Sequence, residues 1–274
     1  MSQNKAASSV AILGVGNLGR ALAVGWTERG PYRPECVTLT RRRHEKLADL
    51  AARGHPVLSD NVEAVQRSEL IVLSVQPQQI DGLLDQISSV LDPTRHRLVS
   101  VVSGVSISRI RQRVGPKIPV VRAMPNMAVS IGESMTCIAA DEHGEEALQE
   151  AKTLFDLVGR TLVIAEEMVV PATALCACGV AFFLRAVRAA SQGGIEIGFH
   201  PEEALLLASQ TARGAASLLL REDRHPESEI DRVTTPRGCT IAGLNEMEHQ
   251  GFSSALIKGI LLSAEKADRL YRTD

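Results

Sequence analysis

Through Ile164, short apolar runs alternate with segments of helical period, and the runs stop at loops rich in Gly, Ser, Pro and Asn. Val10–Leu13 is an apolar run that ends at Gly14, which predicts a buried strand. Leu18, Ala21, Leu22, Gly25 and Trp26 then recur at helical spacing until Gly30-Pro31. Val37–Thr40 reads as a second strand, 44–53 as a short helix, and Asp60-Asn61 as the cap of a helix over 62–67. The run 70–75 is nearly all apolar, as expected of a central parallel strand covered on both faces. It ends at Gln76-Pro77-Gln78, before a helix over 80–90. Strands over 98–102 and 119–121, with a basic helix Ile107–Val114 between them, continue the alternation. Two further strands, 134–139 and 161–164, flank a helix over 145–158.

From Pro171 onward no strand pattern survives. Alanine and leucine dominate 172–192, 201–220 and 251–271. The pattern predicts an α/β Rossmann domain with a mostly parallel sheet over 1–167 and an all-α domain over 168–274. Residues 176–197 are rich in Ala, Gly and Leu. Such a helical hairpin serves either as a dimer interface or as packing within one chain.

The composition leaves this picture intact. The 274 residues are 45% hydrophobic and 23% charged, with a formal net charge of -2, so neither nucleic acid nor an acidic membrane is an expected partner. Aromatics make up 3%, so the core is aliphatic, which points away from a β-sandwich. Residues 1–9 are polar, without a signal-peptide apolar segment. No uninterrupted apolar run reaches the roughly 18–20 residues of a membrane span, since 180–184 is cut by Arg185 and Arg188. The five cysteines are odd in number and lack framework spacing, so free thiols and a cytoplasmic location are expected.

Candidate chemistry sits at both ends. Gly14-Val15-Gly16-Asn17-Leu18-Gly19 follows a strand and opens a helix, the setting a dinucleotide pyrophosphate needs. Where an acid often binds the ribose, this chain has Thr40-Arg41-Arg42-Arg43. That run suits a 2′-phosphate and favours NADP over NAD, unless the arginines simply form a solvated helix start. Cys176-Ala177-Cys178 lacks zinc spacing and a second pair, so no metal is expected. The histidines are scattered, and no G-x-S-x-G elbow is present. Near the end, Thr235-Pro236-Arg237-Gly238-Cys239-Thr240 reads as a tight loop feeding a helix N-terminus. Its free N–H groups favour a carboxylate, although Thr235 and Thr240 could equally be ordinary caps.

These motifs together resemble the pyrroline-5-carboxylate reductases over essentially the whole chain. The family's G-x-G-N-M-G is similar to Gly14–Gly19, its V-K-P-Q to Val75-Gln76-Pro77-Gln78, its A-G-V-x to Ser103-Gly104-Val105-Ser106, and its R-x-M-P-N to Arg122-Ala123-Met124-Pro125-Asn126. Its V-T-S-P-G-G-T-T signature is similar to Val233-Thr234-Thr235-Pro236-Arg237-Gly238-Cys239-Thr240. The resemblance implies NAD(P)H-dependent reduction of 1-pyrroline-5-carboxylate to L-proline, in a Rossmann domain followed by a helical dimerisation domain, often assembled into decamers.

Carried over by motif, Gly14, Gly16, Asn17, Leu18, Gly19, Thr40, Arg41, Arg42, Asn61, Ser74, Val75, Gln76, Pro77, Val101, Val102 and Ser103 would line the cofactor, NADP or else NAD. Glu166, Met124, Asn126, Thr235, Gly238, Cys239 and Thr240 would meet the imino acid, with Thr240 the hydroxyl at the reacting nitrogen. Three departures stand out. Arg237 replaces the signature's first glycine, Gln76 replaces the lysine of V-K-P, and Cys176-Ala177-Cys178-Gly179-Val180-Ala181-Phe182 stands for S-G-S-G-P-A-Y. A related cyclic-imine reductase and a non-catalytic NADP-binding protein are the alternative readings.

Overall fold

A computed structural model describes residues 9–222 and 225–269. The polar segment 1–8 and the expected last residues of the final helix, 270–271, lie outside the described residues. The chain forms two compact units, one running to Ala177 and rejoined from Ser263, the other Cys178–Leu262.

The first unit is built on one eight-stranded sheet. Its strands are β1 (Val10–Leu13), β2 (Val37–Thr40), β3 (Val57–Leu58), β4 (Leu70–Leu73), β5 (Arg97–Ser100), β6 (Val120–Met124), β7 (Ser134–Ala140) and β8 (Gly159–Val163), in the order β3-β2-β1-β4-β5-β6-β7-β8. Neighbours are parallel except β6 and β7, which pair antiparallel with Val121 opposite Ala140. The intervening helices are α1 (Asn17–Arg29), α2 (Ala48–Ala52), α3 (Asn61–Gln66), α4 (Ile80–Ile87), α5 (Ile107–Val114) and α6 (Glu145–Asp156). Strand order reverses at β1, so the crevice at the carboxyl ends of β1 and β4 is the topological switch point.

Successive strand residues point to opposite faces, which divides the core in two. Val10, Ile12 and Val72 join Leu22 and Trp26 of α1 and Leu154 and Phe155 of α6. Ala11, Leu13 and Leu73 join Ile80 and Leu84 of α4 and Ile107 and Ile110 of α5. Trp26 is fully buried, meets Phe155 edge-on at 5.6 Å, and donates its indole N–H to Leu154 O at 3.1 Å. Truncating it to alanine would cost about 3–5 kcal/mol.

The chain then becomes helical: α7 (Val169–Ala172), a π-turn Thr173–Cys178, α8 (Gly179–Glu196), α9 (Pro201–Glu222), α10 (Pro226–Val233), α11 (Cys239–His249) and α12 (Phe252–Arg269). In the second unit α8 and α9 approach closely, since a Cβ added at Gly194 would lie 3.0 Å from that of Ala204. This unit leaves large apolar side chains in solvent, among them Phe183, Leu184, Leu206 and Leu220. The continuous helical run Glu166–Glu196 has a window of mean hydropathy 1.9, long and apolar enough for a membrane span by length and composition. No uninterrupted apolar run has that length; the average passes because an 18-residue window tolerates Glu167, Pro171 and Gly179 and stops short of Arg185 and Arg188.

Candidate functional site

The cofactor loop is held from below. The N–H groups of Gly14 and Val15 both donate to Thr40 O, at 3.1 and 2.8 Å. Thr40 Oγ1 accepts a second approach of the Gly14 N–H and donates to Asn61 Oδ1 at 2.6 Å, while Asn61 Nδ2 donates to Gln86 Oε1. Gly14 has φ +81°, and a Cβ there would fall 2.2 Å from Val75 Cγ1, so neither conformation nor space admits a side chain. Gly16 is different: an added Cβ would meet nothing within 4 Å, so its space opens outward. Gly16 caps α1 without a side-chain hydrogen bond, which leaves the first N–H groups of a 13-residue helix available to an anion. Gly19 serves packing, with Ser74 Oγ and Ile12 Cγ2 within 3.2 Å of an added Cβ.

A groove of about 870 Å³ follows, lined by Gly14, Gly16, Asn17, Leu18, Thr40, Arg41, Arg42, Asn61, Ser74, Val75, Gln76 and Val101. Of the residues expected at the cofactor, Gly19, Pro77, Val102 and Ser103 are not among its lining, and Val102 is buried in the core. Arg43, the last of the basic run, lines it as well, as do Lys46 and Gln86, which the sequence reading missed. Arg41 donates to Val15 O at 3.1 Å and so braces the glycine loop, whereas Arg42, Arg43 and Lys46 are exposed. An open cradle at Gly16, a free helix start and a cationic far end together fit a dinucleotide bearing a 2′-phosphate.

A second cavity, about 590 Å³, is lined by Ser106, Arg122, Glu166, Glu167, Val170 and Pro171, with Ala264 and Asp268 of α12. Glu166 Oε1 accepts from the Ile107 N–H at 2.7 Å and from Arg122 Nη1 at 3.1 Å. The carboxylate therefore sits at the positive end of α5, whose first turn has no acid of its own. Burial pushes the Arg122 guanidinium below its ordinary value, and the Glu166 hydrogen bond offsets part of that. Arg122 Nη2 has no partner among the described residues. Met124 and Asn126 have structural work: Met124 is buried with Ala139 and Val169. Asn126 accepts from the Ala128 N–H and donates to Cys176 O at 3.1 Å.

In the second unit, Thr235, Gly238, Cys239 and Thr240 fall within one turn. The Gly238 N–H donates to Thr235 O at 2.9 Å, and Arg237 has φ +61°. Proline at the second position and a left-handed third residue give a type II turn. Arginine thus occupies the conformation that glycine takes most easily, and the loop geometry survives the departure. A Cβ on Gly238 would fall 2.4 Å from Thr235 Oγ1. Gly238 caps α11 with no side-chain hydrogen bond, so the first N–H groups of α11 remain available, with Thr240 half-buried in that turn.

Comparison with known proteins agrees with both halves. Residues 166–270 match the family model described as pyrroline-5-carboxylate reductase dimerisation, and 9–104 match that of NADP oxidoreductase, coenzyme F420-dependent. The chain is 49% identical to pyrroline-5-carboxylate reductase 1 of Dictyostelium discoideum over 96% of its length, and spans half of that relative. It is 47% identical to pyrroline-5-carboxylate reductase 2 of the same organism, covering 95% of this chain and 92% of that one. Among solved structures, the Plasmodium falciparum pyrroline carboxylate reductase with NADP bound shares the fold at a TM-score of 0.87 and 22% identity, covering 96% and 98% of the two chains. The Coxiella burnetii pyrroline-5-carboxylate reductase matches at 0.87 and 26%, covering 97% and 99%.

Proposed function

Since the chain belongs to the pyrroline-5-carboxylate reductase family, we propose that it reduces 1-pyrroline-5-carboxylate to L-proline with NADPH. The observation that carries this reading is the pairing in one chain of two anion sites of different kinds. One is a glycine cradle with a cationic far end; the other is the uncapped start of α11 beside a hydroxyl.

When bound, the reduced nicotinamide supplies the hydride that the imine carbon accepts. The N–H groups at Gly238 and Cys239 hold the substrate carboxylate, with the α11 dipole adding to the attraction. Thr240 donates a hydrogen bond to the ring nitrogen as it gains electron density; a neutral hydroxyl orients that atom but is too weak an acid to protonate it unaided. Among the described residues both bonds to Glu166 fall on Oε1, which leaves Oε2 to accept from the substrate. Met124 and Asn126 act behind the site as packing. Holding the two reactants in register supplies most of the acceleration.

The functional division falls at 167/168, with cofactor binding before it and substrate binding and dimerisation after it. The exposed apolar faces of α8 and α9 are covered by a second copy of the chain, and Arg185 and Arg188 within the run oppose its use as a membrane span. A decamer built from five dimers and a cytoplasmic location complete the reading.

Purified full-length protein with NADPH and 1-pyrroline-5-carboxylate tests it by loss of nicotinamide absorbance. Turnover restricted to the six-membered imine would select a different cyclic-imine reductase, and NADPH binding without any turnover would make this a binding protein. Thr240→Ala should lower kcat about tenfold and leave the Kd for NADPH unchanged, with Thr240→Ser recovering most of the rate. An unaltered kcat would remove Thr240 from the site.

A further inference from the structure

Cys137 on β7 and Cys176 in the π-turn Thr173–Cys178 bring their sulfurs to 3.7 Å, although the residues lie 39 apart in sequence. Neither thiol has a part in the chemistry above. Cys137 is buried, while Cys176 is half-buried, and both are free thiols. The Asn126 side chain donates to Cys176 O, which fixes the backbone that presents this sulfur to β7. We propose that Cys137 and Cys176 are a peroxide-oxidisable thiol pair, a modification site that closes reversibly to a disulfide.

The two sulfurs divide the labour. The shared hydrogen bond, and then burial, hold Cys137 in its protonated form, and the same bond draws Cys176 below the ordinary thiol range, so Cys176 is the sulfur that carries the thiolate. The Cys176 thiolate attacks a hydroperoxide oxygen. The O–O bond breaks, the leaving oxygen takes a proton and departs as water or an alcohol, and Cys176 becomes a sulfenic acid. Cys137 then attacks the sulfenic sulfur and loses its proton, and hydroxide leaves as water. For hydrogen peroxide, two thiols and one peroxide give one disulfide and two waters. Closing the bond needs the sulfurs to move from 3.7 Å to about 2.05 Å. The π-turn is a one-turn insertion and can take up a shift of that size.

The test is thiol mapping of the full-length, reduced protein after stoichiometric hydrogen peroxide, with alkylation and peptide mass analysis. The expected product is a Cys137–Cys176 linked peptide, about 2 Da lighter than the two thiols and restored by dithiothreitol. In Cys137→Ser, dimedone should trap Cys176 as the sulfenic acid; in Cys176→Ser, Cys137 should stay reduced at the same dose. Exposed Cys239 serves as the internal reference. Oxidation of Cys239 while Cys137 and Cys176 remain alkylatable would overturn the proposal, as would a Cys176–Cys178 pairing.

Discussion

Arg122 Nη1 lies 3.1 Å from Glu166 Oε1, and the same carboxylate oxygen takes the Ile107 N–H at 2.7 Å. One side chain from the approach to the helical segment thereby anchors both strand β6 and the first turn of α5. The Arg122 side chain is 5% exposed and that of Glu166 30%, so the pair is only partly screened by water. Glu166→Ala leaves a buried guanidinium without its counter-charge and should cost about 3 kcal/mol. The double variant Arg122→Met with Glu166→Ala should be less destabilised than Glu166→Ala alone. Urea unfolding of both reads this directly. Additive losses would show that the two side chains act independently.

Gly14 and Gly16 should separate folding from binding. Gly14→Ala meets Val75 and a φ of +81°, so it should lower the unfolding midpoint as well as NADPH affinity. Gly16→Ala meets nothing of the chain itself, so it should keep the unfolding free energy within about 1 kcal/mol while weakening NADPH at least tenfold. Calorimetric titration with NADPH beside thermal melts distinguishes them. A Gly16→Ala protein with native affinity would show that the pyrophosphate does not approach this backbone.

The arginines beyond β2 should divide in the same way. Arg42 and Arg43 are exposed at the groove, whereas Arg41 braces the loop through Val15 O. Replacing Arg42 and Arg43 together by Ala should weaken NADPH about tenfold and NADH little. Arg41→Ala should weaken both cofactors alike. Equal effects of the Arg42 and Arg43 pair on the two cofactors would mean that those side chains are merely solvated.

Stability should fall on mild acidification. Burial lowers His55 and His96 below the ordinary value of 6.5, and His96 Nδ1 accepts the Asp92 N–H at 2.8 Å, a bond that protonation breaks. Above 6.5 both states are neutral and nothing is lost. As pH drops through 6.5 the unfolded chain takes protons that the folded chain refuses, and stability falls until the folded histidines also titrate. The slope reaches about 1.4 kcal/mol per pH unit for each histidine. Urea midpoints between pH 7.5 and 5.5 should decline, and His55→Asn with His96→Asn, which keeps an amide donor and acceptor in place, should flatten the decline. A flat wild-type profile would contradict the assignment.

Much of this architecture is visible in local pattern. The run 70–75 and the helix opening at Asn17 follow from periodicity and from glycines whose roles are local. Other features depend on distant partners. The antiparallel direction of β7 is set by pairing such as Val121 with Ala140, and β3, at Val57–Leu58, is too short to show a period. Helix α10 carries Glu227, Glu229, Asp231 and Arg232 on eight residues and shows little apolar face to read. The Arg122–Glu166 and Cys137–Cys176 contacts join segments 44 and 39 residues apart, beyond the reach of any motif. At the candidate site, the glycine loop and the Thr235–Thr240 turn show in the sequence because Gly14, Pro236 and Gly238 mark turns locally. Met124 packs with Val169 and Asn126 donates to Cys176 O, contacts that no local pattern announces.

Transfer of a labelled hydride tests the central claim most directly. NADPH carrying deuterium at the nicotinamide C4 is incubated with 1-pyrroline-5-carboxylate and the full-length protein, and the product is read by mass spectrometry and proton NMR. The expected product is L-proline with a single deuterium at C5, the former imine carbon, formed in step with NADPH consumption. Unlabelled proline, or consumption of NADPH without proline, would contradict it.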